Sequence, residues 1–224
     1  GRTGTTVFTT QGLSISWTGS LWLAGGQGGN TLATSTDGIT WTGRGSTTFT
    51  TLVNGVAGYK STTDVTATTT VSEYLVVGAG TNSFGITTDG ASFTGLNRLN
   101  TFTTQGNGIN YDPVSGKWVA VGQGGNTIAT SNDGGVWTGR DSINNFSQGY
   151  DAAYGNNLWV AFGSGTGNTI ATSVDGITWT GRGKTVFTSV GYDVAYANNL
   201  WVAVGLGGNT IATSTDGVTW TGRG

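Results

Sequence analysis

Two polar residue types recur at fixed places and carry the only repeated chemistry in the chain. Arg44, Arg140, Arg182 and Arg223 each close a Thr-Gly-Arg stretch, and Arg2 makes them five of the six arginines. Asn30, Asn126, Asn168 and Asn209 end glycine-rich turns such as GQGGN (26–30) and GLGGN (205–209). Phe49, Phe102, Phe146 and Phe187 follow the arginines. A guanidinium, a carboxamide and a ring brought together can hold a sugar or a small anion. In the plainer alternative the arginine bonds carbonyl groups and closes a sheet edge. The other chemistry to inspect is a carboxylate pair, Asp151 and Asp193, since glycoside hydrolysis needs two carboxyl groups flanking one bond. The plain reading of that pair is polar residues lining a wet channel.

The inventory removes most other reactions. The 224 residues include 42 Gly, one Pro (Pro113), and no His, Cys or Met. Without His there is no Ser-His-Asp triad and no imidazole base or metal ligand. Without Cys there is no thiol nucleophile, zinc knuckle or disulfide. Nine basic against eleven acidic side chains leave no basic field for a nucleic-acid backbone. No apolar run approaches the roughly 20 residues of a spanning helix, and no signal peptide is visible. So much glycine would suit disorder, but 24 aromatic residues and a net charge of −2 do not. A folded, soluble chain is expected, a monomer without cofactor or metal.

The elements that must position these residues come in five copies. LWVAVGLGGNTIATSTDGVTWTGRG (200–224) recurs at 158–182, 117–140 and 21–44, and in worn form at 74–96. The repeated aspartates Asp37, Asp89, Asp133, Asp175 and Asp216 lie 52, 44, 42 and 41 residues apart. Each copy reads as four short strands, as in 191–197, 201–205, 209–214 and 218–222. The second alternates large and small residues, and the third is rich in β-branched ones. Asp216-Gly217 predicts a type I′ hairpin between strands three and four. β-Branched NTIATS follows the glycine-rich turns, where a phosphate loop would need a helix. Asn145-Phe146-Ser147 is an isolated N-x-S sequon. Four strands every 41–52 residues predict an all-β, five-bladed propeller, one blade per repeat of roughly 42 residues. The expected blades are 1–44, 45–96, 97–140, 141–182 and 183–224, a single domain closed as a ring by packing of the first blade on the fifth.

The segments Ser35-Thr36-Asp37-Gly38-Ile39-Thr40-Trp41 and Ser214-Thr215-Asp216-Gly217-Val218-Thr219-Trp220 resemble the Asp-box repeat of sialidase-like and other β-propellers. That repeat is one residue longer between Asp and Trp. Ser131, Asp133 and Trp137, and Ser173, Asp175 and Trp179, match in the same way, while blade two keeps Thr87, Asp89, Gly90 and Phe93. The resemblance implies a structural role, the Asp accepting turn N–H groups, the Ser tying the hairpin back and the Trp burying its ring. One carboxylate per blade is poor for Ca²⁺, which wants six to eight oxygens. Sialidase-like hydrolysis would by resemblance need three arginines, a Tyr–Glu pair and an Asp. Glu73-Tyr74 holds the sole Glu and reads as a solvated strand edge.

Strand direction puts the Asp boxes and the blade-two insertion (60–73) on one face. The glycine-rich turns and the arginines fall on the other, the usual ligand face by resemblance. Two functions remain. One is a non-enzymatic, multivalent, lectin-like module with shallow sites at Asn30/Arg44, Asn126/Arg140, Asn168/Arg182 and Asn209/Arg223, binding glycans or a surface partner by avidity. The other is a scaffold or display domain of a virion or cell surface, without a small ligand. Blade two, with Leu96 where Arg should stand, is expected to carry no site.

Overall fold

The computed structural model describes residues 7–61, 71–96, 101–140 and 146–224, and every regular element in it is a strand. Arg2, Asn145 and residues 62–70 of the insertion lie outside the described residues. The chain divides into two compact units, Gly1–Leu99 and Asn100–Gly224.

The first unit holds two four-stranded repeats. One comprises β1 (Gln11–Trp17), β2 (Trp22–Gln27), β3 (Leu32–Ser35) and β4 (Thr42–Gly43). The next comprises β5 (Leu52–Ser61), β6 (Val71–Ala79), β7 (Phe84–Thr87) and β8 (Thr94–Leu96). The second unit builds the same object three times. Its strands are β9 (Phe102–Asp112), β10 (Lys117–Gly125), β11 (Ile128–Ser131) and β12 (Thr138–Gly139), then β13 (Phe146–Gly155), β14 (Leu158–Gly165), β15 (Ile170–Ser173) and β16 (Thr180–Gly181). Last come β17 (Phe187–Ala197), β18 (Leu200–Gly208), β19 (Ile211–Ser214) and β20 (Thr221–Gly222). Within each repeat successive strands pair antiparallel. Single residue pairs, Gln27 with Leu52 and Ser164 with Val190, join consecutive repeats into two eight-stranded sheets.

Alternation along the second strand gives each repeat two apolar faces. In the fourth repeat Trp159 and Ala161 face back onto Val119, Val121 and Ile128 of the third. Val160 and Phe162 face forward onto Phe187, Val194, Trp201 and Ala203 of the fifth. The backbone must come close for this to work. The ring of Phe187, at the start of β17, lies where a Cβ on Gly205 of β18 would sit, and Phe146 stands likewise against Gly163. The four phenylalanines expected beside the arginines are therefore core residues, Phe49, Phe102, Phe146 and Phe187 all being fully buried.

Two details differ from the sequence reading. The fourth strand is a stub of two residues, three in the second repeat, because the segment before it, 215–220 in the last repeat, forms a loop and not strand. The Asp-Gly pairs are not type I′ hairpins: Gly217 has φ +73° and Gly38 φ +70°, but neither preceding Asp has positive φ. The I′ geometry belongs to Asn156-Asn157 (φ 50° and 57°) and Asn198-Asn199 (φ 51° and 59°), the two-residue links into β14 and β18. Asparagine tolerates that region better than other side chains.

Gly205→Ala forces a methyl against the Phe187 ring and the Val190 carbonyl. It is expected to destabilise by about 1–3 kcal/mol, a fall of several degrees in Tm. Gly135→Ala, where a Cβ meets nothing nearer than Asp133 Oδ1 at 3.8 Å, should leave Tm nearly unchanged. Paired thermal melts check both.

Candidate functional site

The loop before each fourth strand is organised by one carboxylate. Asp216 Oδ1 accepts N–H bonds from Thr219 (2.7 Å) and Val218 (2.8 Å), and Ser214 Oγ donates to it at 2.8 Å. The Ser214 hydroxyl in turn accepts from Gly217 N at 2.9 Å, and Trp220 Nε1 donates to Gly217 O at 3.1 Å. The arrangement repeats at Ser35/Asp37/Trp41 and at Ser173/Asp175/Trp179. Ser131/Asp133/Trp137 forms it too, with Trp137 buried, and Thr87 replaces the serine beside Asp89 in the second repeat, where Phe93 stands in the Trp place. These bonds, the backbone donors first, favour the charged carboxylate. They hold Asp37, Asp89, Asp175 and Asp216 down at about 2 and lower Asp133 as well. All five loops are occupied with their own backbone.

At the opposite ends of the strands lie the glycine-rich turns and the arginines. Asn30 Nδ2 donates to Val7 O at 2.8 Å, and its Oδ1 accepts Gly45 N at 2.8 Å. Asn126 donates to Thr101 O (3.2 Å), Asn209 to Val186 O (3.0 Å), and Asn168 Oδ1 accepts Gly183 N at 2.7 Å. Each carboxamide staples the start of strand one or the end of strand four. It lies over the glycine of Thr-Gly-Arg, where a Cβ would strike it at Gly43, Gly139, Gly181 and Gly222. Asn82 in the second repeat does the same, donating to Thr48 O at 2.7 Å. The arginines reach across to strand three. Nε of Arg44, Arg140, Arg182 and Arg223 donates to Thr34, Thr130, Thr172 and Thr213 Oγ1 at 2.8, 2.7, 2.9 and 2.8 Å. Turn asparagine and arginine thus share one end of four of the five repeats, without the phenylalanine.

The Asp151–Asp193 pair is brought together, near enough for the Asp193 charge to act on the Asp151 carboxyl. Burial, then the Asp193 charge, pushes the Asp151 carboxyl well above the usual range. Its Oδ2 accepts Val194 N at 3.2 Å, linking first strands of successive repeats. Ser14 Oγ makes the equivalent bond from Val56 N at 3.1 Å. Tyr150 and Tyr192, one residue earlier, meet edge to face with centroids 5.5 Å apart. Glu73 pairs with Tyr59 on the β5–β6 hairpin, and Tyr74 is a core residue.

Sequence reasoning passed over two polar residues. Asp112 is buried and accepts Val114 N (2.8 Å), Ser115 N (3.2 Å) and the Ser115 hydroxyl; burial first, and then the Asp112 charge, raise the Tyr154 phenol. Lys117 Nζ donates to Asp175 O at 2.6 Å. Their signal was departure from the repeat: Lys117 stands where Leu21, Leu158 and Leu200 stand elsewhere.

This architecture is that of the β-propeller class. Its strands superpose on virginiamycin B lyase from Staphylococcus aureus with TM-score 0.74 at 16% identity, over 96% of this chain and 71% of that one. The WD40 β-propeller domain of Doa1 matches with TM-score 0.66 at 12% identity, over 95% and 68%. A chain of a nidogen/laminin complex matches with TM-score 0.66 at 12% identity, over 90% and 74%. Other matched chains are longer still, this chain spanning 57% and 30% of two of them. No protein-family model matches, and neither does any curated protein sequence.

The loop aspartates set the acid limb of stability. Their folded values lie near 2 against about 3.9 unfolded, so their contribution is present above pH 4 and lost as pH falls towards 2. Asp151 has the opposite sign: its raised value makes the native state bind a proton more readily, so it lowers stability as pH rises above 4. Urea midpoints of the parent should therefore drop from pH 4 to pH 2, less steeply in Asp216→Asn. Asp151→Asn should raise the midpoint at pH 7, by an amount that vanishes below pH 4.

Proposed function

We propose that the chain is a non-enzymatic scaffold module, five successive blades of one propeller, which displays a repeated surface and does no chemistry on a substrate. The observation that carries this reading is the employment of the repeated polar groups. The loop aspartates and turn asparagines bond their own repeat, and each Thr-Gly-Arg arginine bonds a threonine one strand away. The Asp-box resemblance belongs with it, because the serine, aspartate and tryptophan then act as hairpin fasteners. The lyase among the similar folds does not transfer its activity at 16% identity.

A second reading keeps the lectin-like module. Only Nε of each arginine is engaged, which leaves the Nη groups of Arg44, Arg140, Arg182 and Arg223 without a partner among the described residues. Four such rims could bind glycans or small anions weakly and gain by avidity.

A glycan array separates the two. The scaffold reading expects a blank from folded protein. Reproducible sugar hits that disappear when all four arginines become Ala would establish the lectin instead, each lost charge-assisted bond costing about 1.5–3 kcal/mol. Fluorogenic glycosides should show no turnover, and turnover abolished by Asp193→Asn would overturn the non-enzymatic assignment.

A further inference from the structure

Five Asp-Gly pairs stand in the loops before the fourth strands, at 37–38, 89–90, 133–134, 175–176 and 216–217. This dipeptide can react with itself. The glycine nitrogen attacks Cγ of the protonated aspartate, and the N–Cγ bond forms. The carboxyl oxygen leaves as water, carrying its own proton and that of the amide. The cyclic imide then takes up water. Opening at the main-chain carbonyl gives isoaspartate, whose backbone runs through Cβ, and opening at Cγ restores aspartate. Glycine permits the reaction because no side chain shields its nitrogen.

Four of the five loops oppose the first step in the same way. The nitrogen that would attack donates instead to a hydroxyl. Gly38, Gly176 and Gly217 N donate to Ser35, Ser173 and Ser214 Oγ at 2.9, 2.8 and 2.9 Å, and Gly90 N to Thr87 Oγ1 at 3.0 Å. Attack must break that bond. A second brake acts in every loop, since the bonds to the carboxylate keep it ionised and an ionised carboxylate resists attack.

The third repeat lacks the first brake. Ser131 Oγ accepts Asp133 N at 3.2 Å and donates to Asp133 Oδ1 at 2.9 Å, but among the described residues it takes no bond from Gly134 N. The next residues differ as well. Gly135 stands where Ile39, Ala91, Ile177 and Val218 stand elsewhere, so two consecutive glycines free the backbone. Val136 replaces the hydroxyl residues Thr40, Ser92, Thr178 and Thr219. Asp133 is exposed, so water reaches the imide. Asn54-Gly55 and Asn107-Gly108 reach the same imide by losing ammonia, but they lie within β5 and β9 and are told apart by the change in mass.

We propose that Asp133-Gly134 is the Asp-Gly pair that converts spontaneously to isoaspartate in the folded protein, and that the hydroxyl two residues before each of the other four aspartates shields its bond. Conversion would carry the carboxylate away from the loop amides and unfasten the loop before β12.

The test incubates folded parent at neutral pH below its melting temperature, with samples digested and mapped by electron-transfer mass spectrometry. Isoaspartate should accumulate at position 133 several-fold faster than at 37, 89, 175 or 216. In guanidinium chloride all five positions should convert at comparable rates. Ser214→Ala, with an unchanged far-UV spectrum, should bring position 216 up to the rate at 133 while 37 and 175 stay slow. Equal conversion at the five positions in folded parent overturns the proposal, and so does a lead for another loop. A lead for 133 that persists in denaturant overturns it as well, because the sequence and not the folded geometry would then choose the site. Position 216 staying slow in folded Ser214→Ala overturns the shielding.

Discussion

A four-stranded sheet with apolar side chains on both sides is stable only when both sides are covered. In this chain, with 9% charged residues, that requirement governs everything else. Covering one repeat with the next demands close backbone approach, and that explains the strand-two glycines Gly122, Gly163 and Gly205 beneath Phe102, Phe146 and Phe187, and the strand-one glycines Gly149 and Gly191. Van der Waals contact at this density is lost quickly when a gap opens. The high glycine content is a packing requirement and not a mark of flexibility.

Side-chain-to-backbone hydrogen bonds impose order where strands end. A two-residue fourth strand cannot hold itself by ladder bonds, and the aspartate loop before it supplies the missing constraint. At the other end the asparagine ties strand four to the beginning of strand one. Each repeat is thereby pinned at both ends by neutral amides and one carboxylate. The repeated polar residues form a frame, and whatever surface chemistry the protein has is left to the outer nitrogens of the arginines.

Repetition made the architecture legible. Five copies of Thr-Asp-Gly or its variants counted the units, and the alternation around Trp201 and Trp159 located the central strands. Boundaries were harder. Ile-Thr-Trp-Thr-Gly reads as strand by composition, but the carboxylate captures the first two of those amides and holds the segment in a loop. Asp-Gly suggested a type I′ turn, a geometry that the Asn-Asn links adopt instead. The phenylalanines were displaced from the surface to the core because their glycine partners, Gly85, Gly122, Gly163 and Gly205, lie far along the chain and gave no local sign of contact. The candidate site was legible only as a set of positions. That Asn30 and Asn209 serve their own backbone depends on a loop folding back by 23 residues, which no local pattern reveals.

At the junction of the first two repeats a Cβ on Gly25 would stand only 2.5 Å from Val53 Cγ1, and this close fit constrains which substitutions the chain can absorb. Phe162 against Gly191, and Val121 against Gly149, likewise set a large residue against a glycine, with the large member on the other side. Substitutions within a junction must therefore come in compensating pairs. A residue that gains volume on one side of such a junction needs a neighbour that gives up the same volume on the other.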